Sequence, residues 1–303
     1  MNSKPLVSII TPLNKFDGYF KECYHSVINQ DYKLIEWIII SSDKNINLIK
    51  SFIAKNKYSN HRSYTIFITC NENNVGKRRN IGIDNAKGEL ILFLDADDYF
   101  YSKQSISVLV TSIIKYNTEI VGASCLIYSK EKKYVRRNDL INKDTIKSNY
   151  KSFQNESGFY RFIYKSEFLK KKCKFPLLKR FQDSLFLVNA TISVNSFYLI
   201  PDIVYVYRKG HKCIDWTTEM YVDHLSGVFS ILDLSMKLKL YKLASRMFKN
   251  IYITNKIRKP HDSDYNNIKP NLNKLYLQKI CKYKLFILSS PYNYLRATLS
   301  FIL

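Results

Sequence analysis

The stretch ELILFLDADDY (Glu89–Tyr99) runs an unbroken apolar strand straight into three carboxylates, Asp95, Asp97 and Asp98. Carboxylates two apart in an extended turn project to the same side, so Asp95 and Asp97 are able to share one small charged object. A hard divalent cation bridged to phosphate oxygens suits them, because Mg²⁺ takes one or two protein carboxylates and completes its shell from water and phosphate. The alternative is a solvated acidic turn that caps the following helix, with Asp98 as N-cap.

Working outward, similar apolar runs recur at Leu6–Ile10, Ile35–Ile40 and Tyr64–Thr69. Between the first two, Phe16, Phe20, Cys23, Tyr24, Val27 and Ile28 fall at helical spacing, and Ile46, Ile49 and Ile53 do so in the next gap. Continuous rather than alternating apolar strands, separated by amphipathic helices, indicate βαβ units and a mostly parallel sheet covered on both faces. In such sheets ligands bind beyond the carboxyl ends of the strands. Here those ends are polar: Thr11 and Asn14, then Ser41, Ser42 and Asp43, then Asn71, Asn73 and Asn74, then Asp95 and Asp97. No G-x-G-x-x-G follows the first strand and no G-x-x-x-x-G-K-[ST] occurs, so neither a dinucleotide fold nor a P-loop is supported.

A chain of 303 residues, 46% hydrophobic, has room for a substantial core. The start MNSKPLVSIITP carries no signal-peptide pattern, and no run reaches the ~18 apolar residues of a membrane span, so a cytoplasmic protein is expected. Six scattered cysteines without a C-x-x-C pair speak against a zinc site or a disulfide framework and for reduced thiols, mostly in the core. The net charge is +23, and from Lys237 onward fourteen Lys and Arg face two acids, Asp262 and Asp264, an excess of +12. Nucleic acid is one partner for such charge. Yet Leu240, Leu243, Phe248, Ile251, Tyr276, Ile280, Phe286, Ile287, Leu288 and the final FIL interleave with it. That pattern reads as a segment lying on an anionic membrane surface, or as a compositional bias giving an ordinary basic helical appendage.

Three segments carry a resemblance: VSIITPLNK (Val7–Lys15), NNVGKRRNIGIDNAKGELILFLDADD (Asn73–Asp98) and FQDSLF (Phe181–Phe186). Together they resemble the family 2 inverting glycosyltransferases of the GT-A fold over roughly residues 5–215. The middle segment is the most specific, with its R-N-x-G run, its A-x-G-E tetrapeptide and its strand ending in D-x-D. The resemblance implies that Thr11, Pro12 and Asn14 hold the base and ribose of a nucleotide-sugar and that Arg79 approaches its diphosphate. It likewise implies that Asp95 and Asp97 meet the ribose and a Mn²⁺ or Mg²⁺, Asp97 being the firmer metal ligand. Lys77 and Arg78 stand near, but Arg78 reads as a solvated charge at an exposed helix start. Where the family places an acid that reads the base, this chain has Ser41 and Ser42 with Asp43 just after, so UDP is the favoured nucleotide and Asp43 a candidate reader.

The second half is expected to carry the acceptor. FQDSLF follows a Phe-Pro turn and resembles the E-D motif whose aspartate is the general base, with Gln182 in place of the usual acid. Asp183 is therefore the candidate base; its alternative role is a first-turn acid favoured by the helix dipole. In YVYRKGHKCIDW (Tyr205–Trp216), which reads as a loop, Arg208 and His211 are candidates to close over the diphosphate. Gly158, Phe159 and Tyr160 either stack on the acceptor sugar or pack a loop.

The expected architecture is a GT-A α/β domain over 1–215, with a donor half of about 1–100 and an acceptor half of about 101–215, then a basic, mainly helical region over 216–303. The expected activity is transfer of a sugar from a nucleotide-sugar to a hydroxyl of a growing, lipid-linked surface glycan at the inner face of the membrane, with no nucleic-acid partner. A nucleotidyltransferase also pairs a parallel sheet with an acidic metal site, but it wants a Gly-rich phosphate loop that is absent here.

Overall fold

The computed structural model describes residues 4–56, 64–129, 133–136, 144–210, 215–258, 260, 262–283 and 286–287. The chain divides into two compact units, one drawn from 1–153, 157–177 and 186–212 and the other from 154–156, 178–185 and 213–303.

The first unit opens with β1 (Val7–Pro12), α1 (Gly18–Ile28), β2 (Ile35–Ser41), α2 (Asp43–Lys55), β3 (Tyr64–Thr69), α3 (Val75–Asn85) and β4 (Leu90–Phe93). β1, β2 and β4 are buried at every position, which is why their sequences show no alternation. β3 lies at the sheet edge and is half exposed. The helical spacing between the first strands is realised: Phe20, Cys23, Tyr24, Val27 and Ile28 form the buried face of α1.

β5 (Tyr99–Phe100), α4 (Ser105–Lys115), β6 (Ile120–Tyr128), β7 (Lys133–Arg136), β8 (Ile146–Ser148), α5 (Tyr150–Phe153), β9 (Phe162–Lys165) and α6 (Ser166–Lys172) follow. The unit ends with α7 (Gln182–Ile192), from Phe186 on, and β10 (Phe197–Arg208). The sheet order is β3-β2-β1-β4-β9-β6-β10-β5, with β7 on β6 and β8 on β10. β3, β2, β1 and β4 are mutually parallel as expected. Beyond them the sheet is mixed, because β9 runs antiparallel between β4 and β6. β9 is entered from a single 3₁₀ turn, Phe159–Arg161, rather than from a crossover helix, so it is free to reverse.

Two glycines explain the most specific part of the sequence. A Cβ on Gly82 would stand 2.5 Å from Ile10 Cγ2, so α3 seats on β1 only with glycine there. A Cβ on Gly88 would meet Ser8 Oγ at 2.5 Å and Ser8 N at 2.7 Å. The A-x-G-E turn is thereby pressed onto β1, where the buried Glu36 accepts from Ser8 Oγ and from the Lys87 and Gly88 amides.

The second unit is built on α8 (Thr218–Lys237), α9 (Tyr241–Ile257) and α10 (Ser263–Lys282). Six of the apolar residues named above do not form the exposed face that the sequence suggested: Leu240, Leu243, Phe248, Ile251, Tyr276 and Ile287 are buried, while Tyr241, Ile257, Leu275 and Leu277 are exposed. The buried six are core, for the ordinary reason that an amphipathic helix buries its apolar stripe. Leu288 and the final FIL lie outside the described residues, as do Cys213 and His211. Of the described cysteines Cys23, Cys125 and Cys173 are buried, Cys70 is half-buried, Cys281 is exposed, and all are free thiols.

His224 on α8 is buried beside Arg258, whose Nη1 lies 3.1 Å from its Nε2. Burial, reinforced by the charges of Arg258 and Arg180, pushes the imidazole down from 6.5 to about 3. Between those values the unfolded chain takes up a proton that the folded chain refuses. Stability is therefore unaffected above pH 6.5 and lost on acidification at about 1.4 kcal/mol per pH unit until about pH 3. Thermal melts of the parent and of His224→Gln, at pH values of about 7.5 and about 4.5, are expected to show a steeper acid loss in the parent. Equal acid slopes would remove His224 as a source of that loss.

Candidate active site

Within the first unit, the polar ends of β1 and β2 are tied to each other and to α3. Leu13 N–H donates to the Ile40 carbonyl at 2.9 Å, and the Leu13 carbonyl accepts from Ser41 Oγ at 2.7 Å and from Arg78 Nη1 at 2.9 Å. Arg78 also donates to Asn14 Oδ1. This corrects the expectation of a solvated charge: Arg78 is 4% exposed and holds the loop after β1 in shape. Asn14 is exposed on that loop, while Thr11 and Pro12 are buried in β1. The Thr11 hydroxyl accepts from the Trp37 indole at 2.9 Å, so its part is to position the loop, not to meet a ligand with its side chain. Ser41 is likewise spent inside the fold. Asp43, exposed at the start of α2, accepts from Thr69 Oγ1 at 2.8 Å and is the acid that stands at the end of β2.

After β4 the chain turns on Asp95-Ala96-Asp97-Asp98, closed by Asp98 N–H donating to the Asp95 carbonyl at 3.0 Å. Asp95 and Asp97 are half-buried, and Asp98 is buried. Asp98 is not a helix cap, since β5 follows it directly. Its Oδ2 accepts from the Tyr205 hydroxyl at 2.9 Å and its Oδ1 from the Arg208 amide at 2.7 Å. The Tyr205 hydroxyl in turn accepts from the Asp95 amide at 3.1 Å. One buried acid and one tyrosine of β10 thus pin both ends of the turn.

Two arginines complete the setting. Arg79 Nη2 pairs with Asp95 Oδ1 at 2.6 Å, and its guanidinium lies over the rings of Phe159 and Phe175 at 4.6 and 5.2 Å. Its Nε and Nη1 are enclosed without an acceptor. Arg79 therefore orients Asp95 from beneath, and the expected approach to a diphosphate is not the conformation seen. Arg208 ends β10 and does not sit in a loop, because Tyr205–Arg208 pair with Cys125–Tyr128 of β6. Its Nη1 donates to the Asp97 carbonyl, its Nη2 pairs with Glu22 at 2.6 Å, and its guanidinium lies over Tyr99 and Tyr19. His211 falls outside the described residues. Phe159 and Tyr160 are packed: Phe159 meets Phe93, Phe175 and Phe186, and Tyr160 stacks on Tyr205 and Tyr207. Gly158 takes a φ of +90° to allow that turn.

The donor set suits a divalent ion that takes few protein ligands. Burial, together with the charges of Asp97 and Asp95, pushes the Asp98 carboxyl well above its usual range. Among the described residues no three His, Cys, Asp or Glu side chains close round a metal. Two carboxylates on one turn instead match a cation whose remaining positions go to water and phosphate.

In the second unit Asp183 lies in the first turn of α7, half-exposed, with Oδ1 accepting from the Ser184 amide at 2.9 Å. The residue two before it, Phe181, has a φ of +68°, a conformation that non-glycine residues adopt only under constraint.

A family model described as Glycosyl transferase family 2 matches residues 8–179. The chain belongs to glycosyl transferase family 2. A glycosyltransferase of Haemophilus influenzae, itself without assigned activity, is 38% identical over 98 residues, 31% of this chain and 37% of that protein. The poly(ribitol-phosphate) beta-N-acetylglucosaminyltransferase TarS of Staphylococcus aureus is 25% identical over 220 residues, 68% of this chain and 36% of TarS. The chain thus matches little more than a third of the length of either relative. Solved structures agree on the GT-A fold. TarS 1–349 in complex with UDP-GlcNAc superposes with a TM-score of 0.64 at 19% identity, covering 83% of this chain and 76% of that one. A mannosyltransferase of Pyrobaculum calidifontis in complex with GDP-Man and Mn²⁺ gives 0.58 at 13% identity, covering 99% and 88%.

Proposed function

We propose that this family 2 chain transfers a sugar from a nucleotide-sugar, with UDP-sugar favoured, to a hydroxyl of a cell-surface glycan, in a single displacement with inversion. The observation that carries the reading is the Asp95–Asp97 turn, pinned by Asp98, Tyr205, Arg79 and Arg208 at the carboxyl ends of parallel strands. Asp97, with Asp95, holds a Mn²⁺ or Mg²⁺. When bound, such an ion stabilises the charge that collects on a departing nucleoside diphosphate. Asn14 and Asp43 stand at the strand ends where the base and ribose are held. Asp183 takes the proton of the attacking hydroxyl as its oxygen bonds to the anomeric carbon and the bond from that carbon to the diphosphate breaks.

The test is a panel of nucleotide-sugars with Mn²⁺, read first by thermal stabilisation and then by transfer. A UDP-sugar is expected to raise the melting temperature more than a GDP- or CMP-sugar, because ligand that binds only the folded state stabilises it. No stabilisation by any member of the panel would remove the reading.

We also propose that the second unit attracts an anionic membrane surface by charge alone, since its bulky apolar residues are mostly buried. Among the described residues no helix is long and apolar enough to cross a membrane. Binding of the full chain to phosphatidylglycerol vesicles is expected at low salt and is expected to vanish as salt rises. Indifference to such vesicles at low salt would make the +12 excess compositional.

A further inference from the structure

The second unit gathers positive charge around one indole without supplying a counter-charge at contact. Arg180 and Arg258 place their guanidinium carbons 5.4 and 5.1 Å from the centre of the Trp216 ring. The Trp216 and Phe181 rings meet His224 edge-on, at 5.4 and 4.7 Å. His224, held neutral, accepts an N–H of Arg258 and adds no charge of its own. Both arginines are half-buried, and Arg180 Nε is enclosed with no acceptor. Among the described residues, no ion pair joins a carboxylate to either arginine, and the charge of Asp183 acts on Arg180.

Two guanidiniums partly withdrawn from water repel, and the hydration each loses is made good only in part by the Trp216 ring and, for Arg258, by His224. Burial and the neighbouring Arg180 push Arg258 down, and burial does the same to Arg180. An anion bound at these guanidiniums would relieve that repulsion. A phosphate group, with several oxygens for bidentate contact, matches that donor pattern. The constrained backbone at Phe181 fixes Arg180 three residues before Asp183, so whatever Arg180 binds is held on the same short segment as the candidate base.

We propose that Arg180 and Arg258, assembled around Trp216, bind a phosphodiester of the acceptor and so make this chain selective for phosphate-bearing acceptors. Assignment of the phosphate to the acceptor rests on the glycosyltransferase reading above; the anion site itself does not.

The experiment measures binding of soluble glycerophosphoglycerol to the full chain by calorimetry, with neutral glycerol as the control. Arg180→Gln and Arg258→Gln are each expected to weaken binding about tenfold or more, and Arg180→Lys, which keeps the charge but loses the planar fork, to weaken it less. In transfer assays, Arg180→Gln is expected to raise KM for a phosphodiester-bearing acceptor about tenfold while leaving kcat and the KM of a phosphate-free acceptor in place. If Arg258→Gln fails to fold, parent binding and the Arg180 pair still decide. Glycerophosphoglycerol binding no better than glycerol, or binding equal in parent and Arg180→Gln, overturns the site. Arg180-dependent binding to phosphatidylglycerol vesicles without binding of the soluble diester overturns the acceptor assignment in favour of a lipid headgroup. Arg180-dependent diester binding in a chain that transfers from no nucleotide-sugar leaves the site standing and removes the glycosyltransferase reading instead.

Discussion

Asp97→Ala, like excess EDTA, is expected to reduce sugar transfer by roughly 10³-fold or more while leaving the melting temperature nearly unchanged. Asp97 is a half-buried side chain on a turn whose shape is held by other groups: the backbone bond from Asp98 to Asp95, the Tyr205 hydroxyl and the Arg208 amide. On the proposed reading, removing its carboxylate takes away a cation ligand while those bonds remain. Asp98→Ala is the contrasting variant. It strands a buried tyrosine hydroxyl and a buried backbone N–H, each costing about 1–3 kcal/mol, so its melting temperature should fall. Undiminished turnover in excess EDTA would end the metal-dependent reading. A fall in stability for Asp97→Ala equal to that of Asp98→Ala would show that the turn is structural throughout.

The first half of the fold was legible because its signals are local. β1, β2 and β4 are covered on both faces, so each reads as a continuous apolar run, and α1 shows its buried face at helical spacing. The second half was less so. β9 pairs Ile163 with Leu92 on one side and with Val121 on the other, and nothing near Ile163 announces a strand reversed between two distant partners. Arg208 read as a loop residue because the aromatics around it suggested a flap. The alternation of Tyr205, Val206 and Tyr207 was the available signal for a strand.

The site divides along the same line. Asp95, Asp97 and Arg79 stand in one motif, and Arg79 falls three residues from both Gly76 and Gly82 on the buried face of α3, so its enclosure was readable. Arg78 was misread because its partners, Leu13 and Asn14, lie 65 and 64 residues away. The supporting role of Asp98 was hidden for the same reason, since Tyr205 and Arg208 stand 107 and 110 residues downstream. Long-range hydrogen bonds to a side chain leave no periodicity in sequence. They are what separates the half-buried Asp95 and Asp97 from Asp98, the buried support of the turn.

Asp183→Asn is expected to lower turnover by roughly 10²-fold or more, with nucleotide-sugar affinity and thermal stability nearly unchanged. The substitution separates the two roles that the residue can play. As a first-turn acid, Asp183 accepts from the Ser184 amide, and asparagine keeps an oxygen able to do the same. As a base it must take a proton at neutral pH, which an amide cannot. Near-normal turnover in Asp183→Asn would pass the role to Glu156 or Asp215. Of these, Glu156 is mostly enclosed and paired with Arg246 at 3.1 Å, which leaves it little access to a substrate hydroxyl. Asp215 is exposed, and so would be the next residue to replace.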